Sequence, residues 1–466
     1  MPLSSSRALK RGLILLTALS ATLVSVGAQA LASPNWVATW TAPIVAGTSG
    51  SGPSNATVRN LVRAQLGGSE LRIRISNAAD NAVPLLVGSA SVAVSSDGQT
   101  PALVPGTSKR ITFGGQSGTY LKPGVQYVYS DPIAFPVTSQ EDIAVSLFLP
   151  AAVEPAASAS NYAPSWQTGN GAGDATTDEG GTPFSSSQQL NTYALTAVDV
   201  VATPGDGVIV AFGSSTFEGS QSVPGQHGRV EDLLGARGVR LGAGHRRSVV
   251  SAGIGGDTLH EALKRIDRDA WSQSGVVAII LYDINLCLSN SLQSIACNYD
   301  PAQVLTVEQL EADYRTVVKD AHARRVTVLC STWGPDSSTL PNEPERAALN
   351  QWILASHVCD DSVDWDAVLR APGPAGTYTF NPLYFADSIH PNPLGHMAMA
   401  AAVPDRWFSE SSTSHASPPQ PLATGAGTHL PNTSTDWSLP VIVSLALLGL
   451  LTVPAARRHL AIGSPR

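Results

Sequence analysis

The run Val276-Val-Ala-Ile-Ile-Leu-Tyr282 constrains the fold more than any other stretch of this chain. It is apolar throughout, with no polar alternation. A strand of that kind is buried on both faces, which requires helices packed on both sides of a parallel sheet. Val208-Ile-Val-Ala-Phe212 reads the same way. Shorter strands follow at Val249–Ser251, Val326–Cys330 and Val363–Trp365. Helical patterns lie between them at Thr258–Arg268, Thr306–Arg324, Pro344–Ser356 and Pro393–Val403. Thr306 and Gln309 form a capping box, and Val307, Leu310, Tyr314, Val317 and Ala321 share one helix side. Pro393 suits a first helical turn. Residues 203–408 therefore read as an α/β domain, a parallel sheet flanked by helices.

Residues 33–202 have a different period. Val62, Ala64 and Leu66 alternate with polar positions, Gly67-Gly68 turns the chain, and Leu71, Ile73 and Ile75 alternate with Arg72 and Arg74. This predicts a hairpin with one buried face. Short runs at Ser91–Val94, Ile111–Phe113, Val125–Tyr129 and Ile143–Leu149 continue the pattern, separated by Gly, Pro and Ser. An all-β sandwich or jelly-roll-like domain is expected. Ala156–Ser187, rich in small residues, reads as a long loop over the second domain.

The ends suggest an address. Arg7, Lys10 and Arg11 precede an apolar stretch, Leu13–Val26, and small-x-small sites at Ala28-Gln-Ala30 and Ala30-Leu-Ala32, so residues 1–32 read as an export signal. Residues 409–436 are rich in Ser, Thr, Pro and Gly and read as a flexible linker. Residues 437–456 are apolar and long enough to cross a bilayer, and the tail 457–466 opens with Arg457-Arg458 on the cytoplasmic side. Leu430-Pro-Asn-Thr-Ser434 is similar to the sortase signal Leu-Pro-x-Thr-Gly, with serine in place of glycine. Cell-wall sorting and membrane anchoring both stand, and either leaves the body of the chain outside the cell. The net charge of −8 and the lack of a basic run argue against a nucleic-acid partner. The four cysteines form no metal-binding spacing and suggest disulfides. Of three pairings, the one with the shortest loop, Cys287–Cys297, leaves Cys330–Cys359.

The chemistry-bearing residues are far apart. Val208–Phe212 runs into Gly213-Ser214-Ser215, which places a hydroxyl at the carboxyl end of a buried strand. In open α/β sheets reacting groups sit there. Asp387-Ser-Ile-His390-Pro-Asn supplies a carboxylate and an imidazole just ahead of a helix. Serine, histidine and aspartate are the minimum set for nucleophilic acyl transfer, because a serine hydroxyl is a poor nucleophile until a base takes its proton. His227, His245, His322 and His396 read as structural or exposed, and Asp257 as a helix cap.

In this order the motifs resemble the SGNH, or GDSL-type, esterase and lipase superfamily, in the secreted actinobacterial form that carries an N-terminal β-domain. The resemblance spans about Trp36–Trp407. It implies a flavodoxin-like sheet, Ser215 as nucleophile, His390 as base and Asp387 as its orienting acid. Ser251-Ala-Gly-Ile-Gly-Gly-Asp-Thr258 matches the second block and Asp283-Ile-Asn-Leu286 the third. The implied oxyanion hole is the N–H groups of Ser215 and Gly256 with the side chain of Asn285. No metal or organic cofactor is implied. Ser214, Asp283 and Leu286 depart from the family pattern, and an Asp283 carboxylate that faces the oxyanion hole would oppose the charge developing there. The expectation is an exported or surface-anchored carboxylic ester hydrolase, acting on a lipid, acylated-sugar or small-molecule ester with weakened or selective catalysis. The alternatives are a binding protein on this fold and an envelope acyltransferase.

Overall fold

The computed structural model describes residues 33–45, 52–77, 83–123, 127–151, 157–158, 162–184, 190–282, 304–335, 342–374 and 377–408. The expected export signal, linker, apolar C-terminal segment and tail, the Leu430–Ser434 motif, and Asp283, Asn285, Leu286, Cys287 and Cys297 lie outside the described residues. No helix among the described residues is long and apolar enough to cross a membrane.

The first region is a sandwich of two antiparallel sheets. One joins Trp36–Thr41, Leu195–Val201, Leu71–Ile75 and Val128–Tyr129 in that order; the other joins Ser165–Gln167, Ala56–Ala64, Glu141–Leu149, Ser89–Val94 and Lys109–Ile111. The expected hairpin at Gly67-Gly68 does not form. Val62 pairs with Ile143 in one sheet, while Leu71 pairs with Val200 in the other. Both strands turn their apolar residues into the core between the sheets, where Val58, Val62, Leu71, Ile73 and Val145 are all buried. Alternation alone cannot separate strands that pair from strands that face each other across a sandwich. The expected long loop at Ala156–Ser187 contains the strand Ser165–Gln167, which pairs with Ala56–Ala64.

The second region is built on five parallel strands: Gly207–Gly213, Arg247–Gly253, Val276–Leu281, Thr327–Ser331 and Asp361–Val363. Numbered along the chain, their spatial order is 2-1-3-4-5, the flavodoxin-like arrangement. The chain leaves the first strand in one direction and the third pairs on its other side, so the switch point opens at the carboxyl end of Gly207–Gly213. Helices Val307–Ala323, Glu343–Ala355 and Pro393–Ala402 form close to their expected bounds. The capping box closes, with Gln309 N–H donating to Thr306 Oγ1 at 3.3 Å and Thr306 N–H to Gln309 Oε1 at 2.8 Å. The segment expected as one helix from Thr258 is α-helical only over Leu259–Ala262 before tightening and then widening its turns. Residues from Trp365 form a short helix, Trp365–Leu369, instead of ending a strand. Cys330 and Cys359 are joined in a disulfide.

The two regions share one core. Val37, Leu66, Val200 and Ala202 pack with Val208, Val210 and Val250. Polar clasps complete the seam: Ser248 Oγ donates to Ala38 O at 2.6 Å, Thr41 Oγ1 to Ser251 O at 2.6 Å, and Val249 N–H to Gln65 Oε1 at 2.7 Å. The sandwich thus covers the edge strand Arg247–Gly253 and removes an exposed sheet edge.

Helix Val230–Gly238 connects the first two parallel strands. Its Glu231 is fully buried and sits 3.2 Å from Arg229, whose guanidinium is already bonded twice to Asp232 at 2.8 Å. Burial pushes the Glu231 carboxyl up to about 8, with Arg229 opposing the shift. The folded state then holds a proton that the unfolded chain releases near 4.5. The Glu231 contribution to stability therefore falls as pH rises between those values. Glu231→Gln is expected to gain stability relative to the parent on going from pH 5 to pH 8. Urea midpoints at both pH values test this, and an equal difference at the two would contradict it.

Candidate functional site

Strand Gly207–Gly213 delivers Ser214 and Ser215 to the carboxyl rim of the sheet, where Ser215 opens the short helix Ser215–Glu218. The turn is tight. A Cβ on Gly213 would strike Tyr282 O and the Phe217 ring, and one on Gly253 would strike Ser214 O and Phe217. Ser251 Oγ bonds Phe217 O from the neighbouring strand, and the ends of both strands are fastened by one guanidinium. Arg265 donates to Gly213 O at 2.9 Å and to Ala252 O at 2.8 Å, and pairs with Asp257 at 2.6 Å and Asp269 at 3.3 Å. Asp257 is therefore not a helix cap. Thr258 takes that role, accepting from Glu261 N–H at 3.3 Å.

His390 and Asp387 come from a loop closed by the bridge between Phe385 and Pro391. Asp387 Oδ1 accepts from the backbone N–H groups of Ile389 (3.1 Å) and His390 (2.8 Å), an Asx-type turn with Ser388 left-handed at φ 67°. Asn392 then caps helix Pro393–Ala402 through Gly395 N–H at 3.0 Å. Turn and cap hold the backbone of this loop at both ends, and the three distant side chains meet. His390 Nε2 lies 3.0 Å from Ser215 Oγ, and His390 Nδ1 lies 2.7 Å from Asp387 Oδ2. A carboxylate can only accept, so Nδ1 carries the proton and Nε2 is free to accept from the serine hydroxyl. Partial burial raises the Asp387 carboxyl, but hydrogen bonds from the His390 ring and from the backbone N–H groups of His390 and Ile389 outweigh it and bring the group down to about 2. Asp387 is a carboxylate at any working pH. An imidazole so held can take the hydroxyl proton as the oxygen attacks a carbonyl carbon.

Gly256 occupies the third position of a turn in which Asp257 N–H donates to Ile254 O at 3.2 Å, and its φ of +80° is the value a type II turn demands there. A Cβ at Gly256 would meet nothing within 4 Å, so backbone conformation and not crowding selects glycine. The turn sits at the end of strand Arg247–Gly253, beside the strand that carries Ser215. Asn285, the remaining oxyanion candidate, and Asp283 and Leu286 lie outside the described residues.

Of the other histidines, His396 is fully buried. It accepts from Val230 N–H at 3.2 Å through Nδ1, and burial lowers it to about 4. His227 faces Asp142 at 3.1 Å, His322 pairs with Asp360 at 3.0 Å, and His245 is exposed. Sequence reasoning missed Arg265, which no local motif marks, and Gln221, whose amide Nε2 donates to Asp387 Oδ2 at 3.0 Å. Among the described residues no cluster of His, Cys, Asp and Glu could hold a metal ion.

Residues 211–398 match the GDSL-like Lipase/Acylhydrolase family. No curated protein matches the sequence. Among solved structures, the chain is similar to a GDSL-like lipase from Bacteroides thetaiotaomicron VPI-5482, at 18% identity over 42% of this chain and 84% of that one, with a TM-score of 0.31. It is also similar to the acetyl xylan esterase AlAXEase, at 16% identity over 42% and 96%, with a TM-score of 0.32. A variant of Axe2, an acetyl-xylooligosaccharide esterase from Geobacillus Stearmophilus, matches at 21% identity over 43% and 93%, with a TM-score of 0.31.

Proposed function

From a chain whose residues 211–398 are a GDSL-like lipase/acylhydrolase domain, we propose a carboxylic ester hydrolase that works through an acyl-enzyme on Ser215. The observation that carries this reading is the unbroken hydrogen-bond line from Ser215 Oγ through the His390 ring to Asp387. Ser215 Oγ bonds the ester carbonyl carbon while its proton passes to His390 Nε2. The tetrahedral intermediate collapses, the bond to the alcohol oxygen breaks, and His390 returns the proton to that oxygen. Water then repeats the sequence on the acyl-enzyme, releasing the acid and restoring Ser215. Asp387 holds the imidazole tautomer and stabilises the imidazolium. The N–H groups of Ser215 and Gly256 and the Asn285 amide are the proposed donors to the oxyanion, each worth about 3–4 kcal/mol of barrier. The proposed substrates are lipid, acylated-sugar or small-molecule esters. We place the enzyme outside the cell, attached through its C-terminal segment. The basic and apolar N-terminus and the Cys330–Cys359 disulfide support an exported protein.

A fluorophosphonate probe tests the mechanism, since its phosphorus bonds an activated serine oxygen and expels fluoride. The expected result is one adduct per chain, on the peptide that contains Ser215. Folded protein that stays unlabelled in excess probe, or a label on another residue, would refute the proposal and favour a binding role.

A further inference from the structure

Asp387 Oδ2 accepts two hydrogen bonds, one from His390 Nδ1 and one from Gln221 Nε2 at 3.0 Å. Gln221 lies six residues beyond Ser215, exposed, with a left-handed φ of 64°. Few residues other than glycine and asparagine adopt that conformation, and where one does its surroundings must impose it. The surroundings here are the N-terminal sandwich. Gln221 N–H donates to Tyr162 Oη at 3.3 Å, and Tyr162, itself left-handed at φ 52°, accepts through its backbone oxygen from Gly225 N–H at 3.1 Å. Gln99 Nε2 donates to Gly225 O at 2.7 Å. His227, also left-handed at φ 52°, faces Asp142 of the strand Glu141–Leu149 at 3.1 Å. Four contacts thus pin the stretch 221–227 to the sandwich.

We propose that Gln221 is a positioning residue for the Asp387–His390 pair, and that the N-terminal sandwich holds it in place through Tyr162. The inference rests on the reading of Ser215, His390 and Asp387 as the reacting set. The Asp387 side chain is more than a third exposed, and backbone N–H groups restrain only its Oδ1. Among the described residues the imidazole is the one other group on Oδ2, so without Gln221 the carboxylate and the ring would move together and Nε2 would drift from Ser215 Oγ. A second donor on Oδ2, anchored to a different part of the chain, stops that motion. The sandwich is then part of the catalytic apparatus and not an appended module.

Steady-state hydrolysis of p-nitrophenyl acetate by the full chain, with thermal melts alongside, tests this in four proteins: parent, Gln221→Gly, Tyr162→Phe and the double variant. Glycine accepts the left-handed backbone without strain, so Gln221→Gly is expected to melt no lower than the parent. Its kcat is expected to fall about 10-fold, the worth of a hydrogen bond to a charged group, with KM within about 2-fold. Tyr162→Phe is expected to lower kcat about 3-fold alone and not at all in the Gln221→Gly background, because both act through one amide. Unchanged kcat in Gln221→Gly, or a Tyr162→Phe effect that persists in the double variant, overturns the inference while leaving the enzyme reading intact. A parent protein that neither turns over the ester nor reacts with the fluorophosphonate overturns both.

Discussion

Ser215→Ala is expected to lower kcat/KM for ester hydrolysis by about 10⁴- to 10⁶-fold, or about 5–8 kcal/mol of transition-state stabilisation. The size follows from the site. Among the described residues the Ser215 hydroxyl bonds His390 alone, and that bond is what converts a weak nucleophile into an effective one. Among the described residues nothing else stands at His390 Nε2 to take its place. The fold should survive. The side chain is small, the change removes one hydrogen bond worth about 1 kcal/mol, and the tight packing of the turn rests on Gly213 and Gly253. Loss of activity with an unchanged melting temperature is the expected pairing. His390→Ala should fall by a similar factor, and the double variant should be no slower than either single one, because the two groups act on one proton. Multiplying losses would show that they do not act as a unit. A Ser215→Ala rate above about one-hundredth of the parent's would remove the acyl-enzyme from consideration.

What could be read in the sequence was read from local chemistry. Gly213-Ser214-Ser215 after a buried strand, and Asp387-x-x-His390 ahead of a proline-started helix, are short patterns in which local backbone geometry places the residues. The Asx turn at Asp387 and the cap at Asn392 are that geometry. What was not legible depends on partners far along the chain. Gln221 meets Asp387 across 166 residues and Tyr162 across 59. Helix Val230–Gly238 was hidden by its two glycines, Gly235 and Gly238, which argue against a helix in isolation. A Cβ at Gly235 would run into the Gln65 side chain of the sandwich, and one at Gly238 into Arg247 O. Close approach between elements overrode local propensity there. Asp257 reads as the helix cap, but Thr258 takes that role while the distant Arg265 engages the aspartate.

Arg265→Met is expected to destabilise the protein by about 3–5 kcal/mol, the usual cost of removing one member of a buried ion pair, and to lower the melting temperature by roughly 10 °C. Arg265 is 9% exposed and carries no role in the proposed reaction. Its guanidinium pairs with Asp257 and Asp269 while donating to the end carbonyls of two adjacent strands and lying 4.6 Å over the Phe212 ring. Asp269 keeps a partner in Arg268 at 2.8 Å, so the loss falls on Asp257 and on the carbonyls of Gly213 and Ala252. Those two origins can be separated. Burial raises the Asp257 carboxyl despite Arg265, with Asp269 and Glu261 adding to the shift, so its charge is less favourable in the fold than in water. Asp257→Asn removes that charge and leaves the carbonyl contacts, and it is expected to cost under about 1.5 kcal/mol. Denaturant midpoints for the two variants decide the matter. A loss in Asp257→Asn as large as that in Arg265→Met would place the stabilisation in the ion pair. A large loss in Arg265→Met alone would place it in the strand ends from which Ser215 is presented, and kcat should then fall in Arg265→Met even well below its melting temperature.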